Sequence, residues 1–289
     1  MHKFVFHNDR ILPLSEVRLS PGQAGLLSGW GIFTTMRIYD GRAFAFERHW
    51  KRLRTDAGRI QLPFDFEAEA VRANLCQLIR ANNVQDGCVR VYFVHNKVGI
   101  WGSGEAMPVT DLIMYTSDRP VRVGPTDLAV QAHGRHAAHP LCGAKVTSWL
   151  ENMWSLEQAH QRGFEEVILL NERGEVAECT AANIFCVRDG AVQTPPLSSG
   201  CLPGVTREVL LEVASQQGVL IQEKPLTLQE LQQAREVFIT STTREVQPVR
   251  RIEEHRVPLV PGPLTASLAQ AFSDCVRRYF ARGNTGPRP

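Results

Sequence analysis

The chain has 289 residues, of which 43% are hydrophobic, and its 32 basic and 30 acidic residues leave a formal net charge of +2. This composition is typical of a folded protein, and the even spread of both charge signs argues against a nucleic-acid partner. No apolar run approaches the roughly 18 residues that a membrane span needs. The first residues, MHKFVFHNDRILPL, lack the apolar core and cleavage site of a signal peptide. We therefore expect a cytoplasmic protein without a membrane partner.

The first part of the sequence predicts a small N-terminal domain over residues 1–116. Asn8-Asp9 and Asp40-Gly41 each lie between apolar runs, a pattern that favours β-hairpins. The segment FERHWKRLRTDAGRIQL and residues 67–81 both place apolar side chains at helical spacing. Two further strands, CVRVYFVH and DLIMYTS, follow these helices.

Residues 117–125 predict a linker, because they mix Pro, Gly, Asp and Arg without apolar periodicity. A larger second domain is then expected over residues 126–289. Its helices are predicted at 148–162, 205–217 and 228–234, with strands clustered between them. Because strands cluster rather than alternate strictly with helices, the pattern favours mixed sheets of the α+β class over a doubly wound nucleotide-binding fold.

Lys145 is a candidate catalytic residue, one of only five lysines in a chain that otherwise uses arginine for positive charge. It precedes a predicted helix whose start is marked by a capping box of Ser148 and Glu151. The preceding residues, PLCGA, are small and apolar, so the amine can be partly desolvated, which suits Schiff-base chemistry. The alternative is a surface lysine in a loop. An apolar stripe formed by Val146, Trp149, Leu150, Met153 and Trp154 is expected to be buried along this helix.

Two further segments carry polar groups that suit a phosphate. In CLPGVTRE, a Pro-Gly turn leads into a helix whose first amides, at Val205 and Thr206, have no internal acceptor. Thr206 capping its own helix is an equally good interpretation. The strand FITSTT ends in Ser241, Thr242 and Thr243, a cluster that turn chemistry also explains.

Glu178 is a carboxylate in an apolar strand, where a charge without a partner is costly. It is expected either to pair with a cation or to lie exposed at a strand end. His133, His136 and His139 recur every third residue, but no carboxylate or cysteine cluster is nearby, so no metal site is predicted. The seven cysteines are scattered through apolar segments and predict buried free thiols.

Four segments in this order, HWKRL, AKVTSWLENMWSLEQAHQRGFEEVILLNERGEVAECTAANIF, CLPGVTRE and TSTTREVQPV, identify a family. Nearly the whole chain resembles the class IV (fold type IV) pyridoxal-phosphate enzymes. That family comprises branched-chain and D-amino-acid aminotransferases and aminodeoxychorismate lyases. The resemblance implies a two-domain α+β fold, with a small α/β domain, a larger mixed-sheet domain and a cofactor cleft between them. It also implies a homodimer.

The resemblance assigns a role in binding pyridoxal 5'-phosphate to seven residues. Lys145 would form the Schiff base, and Arg52 would bind the phosphate together with the amides of Val205 and Thr206 and the hydroxyl of Thr242. Glu178 would hold the pyridine nitrogen, and Leu202 would pack against the ring. The substrate pocket is expected to be shaped by Phe33, Thr35, Arg37, Arg90, Trp101 and Thr243. Arg37 and Arg90 could bind a substrate carboxylate, and a structural ion pair is the alternative for each.

Within the family, the sequence favours an aminotransferase that exchanges an amino group between an amino acid and a 2-oxo acid. A branched-chain or other apolar L-amino acid is favoured by FVHNKVGIWG and Arg90, although Cys88 and Leu150 stand where those enzymes carry tyrosines. Aminodeoxychorismate lyase is the first alternative, because it shares FTTMR and ECTAANIF, and D-amino-acid aminotransferase is the second. A non-enzymatic relative would lack the lysine, the phosphate ligand or the pyridine carboxylate, and none is missing.

Overall fold

The computed structural model describes residues 1–19, 23–97, 105–120 and 124–282. The chain divides into two compact units, which we call unit one (Met1–Val121 with Ala144–Trp149) and unit two (Arg122–Gly143 with Leu150–Pro289). The segment that carries Lys145 therefore packs with unit one. The domain boundaries expected from the sequence remain a prediction about separately folding domains. Among the described residues, no helix combines the length and apolar character needed to cross a bilayer.

Unit one is an antiparallel sheet with strands in the order β2-β1-β6-β5-β3-β4. Both predicted hairpins are confirmed, because Asn8 and the pair Asp40-Gly41 adopt the positive φ angles that tight turns require. The elements are β1 Phe4–His7, β2 Arg10–Pro13, α1 Ala24–Ser28, β3 Gly31–Tyr39, β4 Arg42–Ala43, α2 Phe46–Arg59, α3 Ala68–Ala81, β5 Gly87–Lys97 and β6 Glu105–Ser117.

Helices α2 and α3 share one hydrophobic core with strands of this sheet. Phe46, Trp50 and Leu53 of α2 and Leu75 and Leu78 of α3 are buried at helical spacing. Burying each such side chain contributes about 1.5–3 kcal/mol. Both predicted helices are confirmed, and α2 is thereby fixed beside strand β3.

The segment Ala144–Trp149 is held along the start of strand β3. Val146 forms an antiparallel bridge with Ile32. The amide of Thr147 donates to the carbonyl of Gly31 at 2.9 Å, and that of Phe33 donates to the carbonyl of Lys145 at 3.0 Å. This short stretch of backbone is therefore positioned by the sheet of unit one.

Unit two is a mixed sheet with strands in the order β12-β11-β10-β13-β14-β7-β8-β9, and β15 pairs with β14. Strand β7 is parallel to both β14 and β8, whereas β13 is antiparallel to both β10 and β14. The predicted α+β class with mixed sheets is confirmed. The elements are β7 Thr126–Gln131, α4 Leu150–Gln161, β8 Glu166–Leu170, β9 Val176–Cys179, β10 Asn183–Arg188, β11 Ala191–Thr194, α5 Val205–Gln216, β12 Ile221–Glu223, α6 Leu228–Gln232, β13 Glu236–Ser241, β14 Glu245–Ile252, β15 His255–Arg256 and α7 Pro263–Arg282.

Helix α4 differs from the prediction in its start and in its buried face. It begins at Leu150, and the hydroxyl of Ser148 donates to the carbonyl of Gly29 at 2.9 Å, so the predicted capping box is wrong. The buried side chains are polar or small, because Asn152 makes hydrogen bonds inside unit two. Leu150, Met153 and Trp154 are instead exposed, and the expectation that they form a buried stripe is wrong.

Candidate active site

Both backbone polar groups of Lys145 are hydrogen bonded within unit one. Its amide N–H donates to Oδ2 of Asp56 at 3.1 Å, and its carbonyl accepts from the amide of Phe33 at 3.0 Å. The partners come from different elements, helix α2 and strand β3. The Cα of Lys145 is therefore fixed from two directions, as a residue that must present its amine at one point requires.

The amine of Lys145 lies over aromatic rings. Its Nζ is 4.5 Å from the ring centroid of Phe33 and 5.9 Å from that of Trp149. The two rings meet edge to face, with centroids 6.2 Å apart. A cation over a ring face is attracted by the quadrupole of the ring. The residue is thus a half-buried lysine held among side chains, which contrasts with the alternative of a solvated loop lysine.

Arg52 is linked to a buried histidine through Thr34. A terminal guanidinium nitrogen of Arg52 donates to Oγ1 of Thr34 at 2.9 Å, and that oxygen lies 2.7 Å from Nδ1 of His49. Burial, reinforced by the charges of Arg52 and Lys145, holds the pKa of His49 well below its usual value. The imidazole is therefore neutral at pH 7, and its Nδ1 shares a hydrogen bond with the hydroxyl of Thr34. This relay orients the guanidinium.

Asp56 is a functional candidate that the sequence reasoning missed. It is 2% exposed and lies four residues after Arg52 on helix α2. Burial raises the pKa of Asp56, while the bond from the Lys145 amide and the charge of Arg52 act in the opposite direction. The spacing of His49, Arg52 and Asp56, which places all three on one helix face, was the available signal.

Glu178 is buried on strand β9 in unit two and is paired with a cation. Its Oε1 accepts from Nε of Arg135 at 3.2 Å, and its Oε2 accepts from the amide of Leu202 at 3.0 Å. Nδ2 of Asn183 donates to the carbonyl of Leu202 at 2.9 Å. Both the amide and the carbonyl of Leu202 are therefore hydrogen bonded to side chains. Glu178 therefore pairs with a cation and is not an exposed carboxylate at a strand end.

A buried polar network connects Arg135 to the turn after strand β13. Arg135 donates to Oδ1 of Asn152 at 2.8 Å, and Nδ2 of Asn152 donates to the carbonyl of Thr180 at 2.6 Å. The hydroxyl of Thr180 bonds to Glu166, which accepts from Arg244 at 3.1 Å. We call these residues the unit-two network. Arg135 is half-buried and the other members are buried, so the network fixes the surroundings of Glu178.

The N-terminus of helix α5 presents buried backbone amides. The helix begins at Val205 with Gly204 as its N-cap, and no side chain caps it. The amide of Glu208 makes the first bond, to the carbonyl of Gly204, which leaves Val205 and Thr206 without intrahelical acceptors. A Cβ on Gly204 would overlap the side chain of Asn183. Thr206 is therefore not the cap of its own helix, and its amide points out of the positive end of the helix dipole.

The threonine cluster forms the turn between strands β13 and β14. The hydroxyls of Ser241 and Thr243 lie 3.5 Å apart, and the amide of Arg244 donates to Oγ of Ser241 at 3.3 Å. Thr242 lies half-buried at the centre of this turn. Turn chemistry therefore accounts for Ser241 and Thr243 and leaves the role of Thr242 as a prediction.

The expected substrate residues of strand β3 pair with strand β5. Phe33 lies opposite Tyr92, and Thr35 lies opposite Arg90. The guanidinium of Arg37 is buried and bonds to Asp86 and to the carbonyls of Ile38 and Gly87, which favours the structural ion pair over a substrate contact. Trp101 lies outside the described residues.

Arg90 instead lies exposed beside two phenols that the sequence reasoning did not identify. It donates to the hydroxyl of Tyr115 at 3.4 Å, and the hydroxyls of Tyr92 and Tyr115 are 3.3 Å apart. Burial, together with the bond to Tyr115, raises the pKa of Tyr92 to about 12. The phenol is therefore protonated at neutral pH and available as a donor. The ring of Tyr92 stacks on that of Phe33 at 5.3 Å, so this cluster adjoins the ring beneath Lys145.

Comparison with known proteins gives consistent matches over most of the chain. The family model described as class IV amino-transferase matches residues 31–252. D-alanine aminotransferase from Listeria innocua is 30% identical over 282 residues, covering 95% of this chain and 96% of its own length. The solved branched-chain amino acid aminotransferase of Escherichia coli has a TM-score of 0.88 and 25% identity, covering 96% of this chain and 95% of that one. A putative 4-amino-4-deoxychorismate lyase from Legionella pneumophila has a TM-score of 0.84 and 25% identity. The match covers 90% of this chain and 96% of that one.

These matches confirm the fold predicted from the four sequence segments. The structural likeness extends over nearly the full length of both chains, so the mixed α/β build is that of fold type IV. The family model includes Lys145 and the other proposed cofactor residues within its bounds. The chain therefore belongs to the class IV aminotransferases, which are pyridoxal-phosphate-dependent transferases.

Proposed function

We propose that this protein transfers an amino group between a branched-chain or other apolar L-amino acid and a 2-oxo acid, with pyridoxal phosphate bound through Lys145. The observation that carries the proposal is the double attachment of the Lys145 backbone, to Asp56 and to Phe33, with the amine over an aromatic ring. A lysine that must bond one carbon atom and then move one proton needs this fixed geometry.

The donors and acceptors of the described residues fit this cofactor. An amine suits its aldehyde, and a buried carboxylate with two donors, Glu178, suits a protonated pyridine nitrogen. The guanidinium of Arg52, which Thr34 holds in place, suits the phosphate of the cofactor. The amides at the start of helix α5 suit that phosphate as well. We propose that both sets serve one cofactor, with Thr242 and Leu202 as further contacts.

Lys145 performs the proton transfers in this proposal. When bound, the cofactor supplies an electron-withdrawing ring that accepts the electron pair left on the substrate carbon. Nζ of Lys145 removes the α-proton of the amino acid as a general base and then delivers it as a general acid. Arg135 and the amide of Leu202 keep the Glu178 carboxylate oriented as an acceptor. Arg52 keeps its guanidinium in place through Thr34 and His49.

The preference for an apolar side chain is supported by the rings of Phe33, Tyr92 and Trp149. We propose that Arg90 binds a substrate carboxylate, because it is exposed and the hydroxyl of Tyr115 accepts from its guanidinium at 3.4 Å. The name of the Escherichia coli structure supports the branched-chain assignment. The lyase remains the first alternative, supported by the name of the Legionella pneumophila structure, and the D-alanine enzyme of Listeria innocua supports the second.

The test uses purified protein loaded with pyridoxal phosphate and mixed separately with L-leucine, D-alanine and aminodeoxychorismate. We expect L-leucine to convert the bound cofactor to pyridoxamine phosphate, measured by absorbance. The same conversion with D-alanine alone would contradict the proposed handedness, and release of pyruvate from aminodeoxychorismate without conversion would identify a lyase. Lys145→Ala should abolish the conversion, whereas Lys51→Ala, at an exposed position on α2, should not.

We further propose that the protein is a homodimer. The exposed apolar side chains of Leu150, Met153 and Trp154 lie three and four residues apart on helix α4, as expected for an apolar stripe on one helix face. Sedimentation equilibrium at micromolar concentration should give twice the chain mass. A monomer for the unaltered protein would contradict the proposal. Trp154→Glu should weaken the association if this face takes part.

A further inference from the structure

Asp56 is a buried carboxylate that the proton transfers described above do not use. It is 2% exposed, and its Oδ2 accepts from the amide of Lys145 at 3.1 Å. The bond joins residues 89 positions apart in the sequence. The acid therefore connects helix α2 directly to the residue proposed to bond the cofactor.

The charged groups that act most strongly on Asp56 among the described residues are cations. Arg52 and Arg59 share its helix, and Lys145 lies on the adjoining segment, while His49 on the same helix is neutral at pH 7. Asp56 also stands in the last turn of α2, where the negative end of the helix dipole disfavours an anion. Burial and dipole both oppose a carboxylate at this position, so the nearby cations and the Lys145 amide must compensate for it.

We propose that Asp56 is a positioning residue for Lys145, whose ionised carboxylate fixes the lysine backbone and balances the positive charges of Lys145 and Arg52. The inference deepens the proposed function and rests on it through the role of Lys145. Asp56 acts on Arg52 in the same way. It lies one helical turn from Arg52 and offsets the charge of the guanidinium before a phosphate binds. The carboxylate thus prepares the lysine and the phosphate ligand together.

This role has a consequence for stability that separates it from a structural role. Burial raises the pKa of Asp56, so the folded protein holds this proton more tightly than the unfolded chain does. Stability is then lost as pH rises from the unfolded pKa through the raised folded value, and above that value the ionised acid destabilises the folded protein. Removing the charge should therefore raise the melting temperature while it loosens Lys145. A residue that only held the fold together would lower it.

The experiment compares Asp56→Asn, which keeps an acceptor oxygen without the charge, with Asp56→Ala, which removes both. Asp65→Asn is the matched control, because Asp65 is an exposed acid in the loop between α2 and α3. Three quantities are measured: hydrogen exchange at the Lys145 amide in cofactor-free protein, the rate of pyridoxal phosphate loss on dilution, and the melting temperature at pH 7. A lost hydrogen bond to a charged group corresponds to a change of about tenfold to a hundredfold.

We expect Asp56→Ala to accelerate exchange at Lys145 by about tenfold and Asp56→Asn to accelerate it less. Both variants should lose cofactor faster than the unaltered protein, and Asp56→Asn should melt at a higher temperature. Exchange and cofactor loss equal to those of Asp65→Asn would overturn the proposal, as would a lower melting temperature of Asp56→Asn. If Asp56→Ala does not fold, Asp56→Asn decides alone. Failure of the proposed function appears separately, as unchanged cofactor attachment in Lys145→Ala.

Discussion

Each unit buries a polar cluster, and the two clusters balance charge differently. Both cations of the unit-two network are paired with carboxylates: Arg244 is buried with Glu166, and the half-buried Arg135 bonds to Glu178 beside the network. The unit-one cluster contains more cations than acids. Its members are Thr34, His49, Arg52, Asp56 and Lys145.

This difference predicts how strongly substitutions in each cluster should affect stability. A buried pair whose charges match contributes little net stability, but removal of one partner is strongly destabilising. The unit-one cluster instead contains two cations proposed to bind the cofactor, Lys145 and Arg52, and the added negative charge of a phosphate would be attracted to them. Substitutions should therefore affect stability most in the unit-two network and ligand binding most in the unit-one cluster.

The largest effect on stability is expected from Arg244→Met. The side chains of Arg244 and Glu166 are 2% and 1% exposed, so the change leaves a carboxylate buried without its cation. The free energy of unfolding should fall by about 3–5 kcal/mol, as measured by urea denaturation. Arg277→Met, at an exposed ion pair with Asp274, is the control and should change it by less than about 1 kcal/mol. An equal effect of both substitutions would remove the distinction between the two kinds of pair.

Arg135→Gln should have a smaller effect on stability and a clear effect on cofactor binding. The change removes the Nε donor to Glu178 and the bond to Asn152. Loss of a hydrogen bond to a charged group corresponds to about 1.5–3 kcal/mol of unfolding free energy. Cofactor retention, measured by absorbance after dialysis, should fall as well, because Glu178 is then less well oriented. Unchanged retention would mean that Arg135 acts only in folding.

The unit-one cluster should appear in the pH dependence of stability. The folded pKa of His49 lies well below its usual value because the side chain is buried, so the unfolded chain binds this proton more readily. Stability should therefore be lost as pH falls below about 6.5, with a slope of up to ~1.4 kcal/mol per pH unit from this residue. Urea titrations between pH 5 and 7, a window set by that ordinary value, measure the slope. His49→Gln should flatten it, and an unaltered slope would show that another group is responsible.

The sequence predicted the elements that depend on local pattern. The hairpin at Asp40-Gly41 and the amphipathic helices α2 and α3 follow from turn chemistry and apolar spacing. Helix α7 was not predicted, although Leu268, Phe272 and Val276 repeat every fourth residue and are buried. Apolar spacing was misleading in α4, because hydrogen bonds of Asn152 decide which face of that helix is buried.

The candidate site also contains residues that the sequence identified and residues that it did not. Lys145 and Glu178 were identified from residue type and position and Arg52 from the family resemblance, and their roles remain predictions. Their partners were not identified, because Asp56 is 89 positions from Lys145 and Arg135 is 43 from Glu178. Such contacts depend on how strands and helices pack, which no local pattern encodes. The exception is the spacing of His49, Arg52 and Asp56 along one helix, which could have indicated a shared face.

The smallest effect is expected at the exposed surface of the same helix. Glu47, in the first turn of α2, pairs with Arg72 at 2.7 Å, and their side chains are 57% and 36% exposed. Glu47→Gln should reduce the free energy of unfolding by about 1 kcal/mol or less, because solvent screens the pair and two flexible side chains must be ordered to form it. Adding salt to about 1 M, where the screening length is about 3 Å, should abolish even this difference. The effect of Arg244→Met should persist at that salt concentration, since buried charges are screened far less. A salt-sensitive Arg244→Met would mean that water reaches Glu166 and that burial does not distinguish the two clusters from the surface.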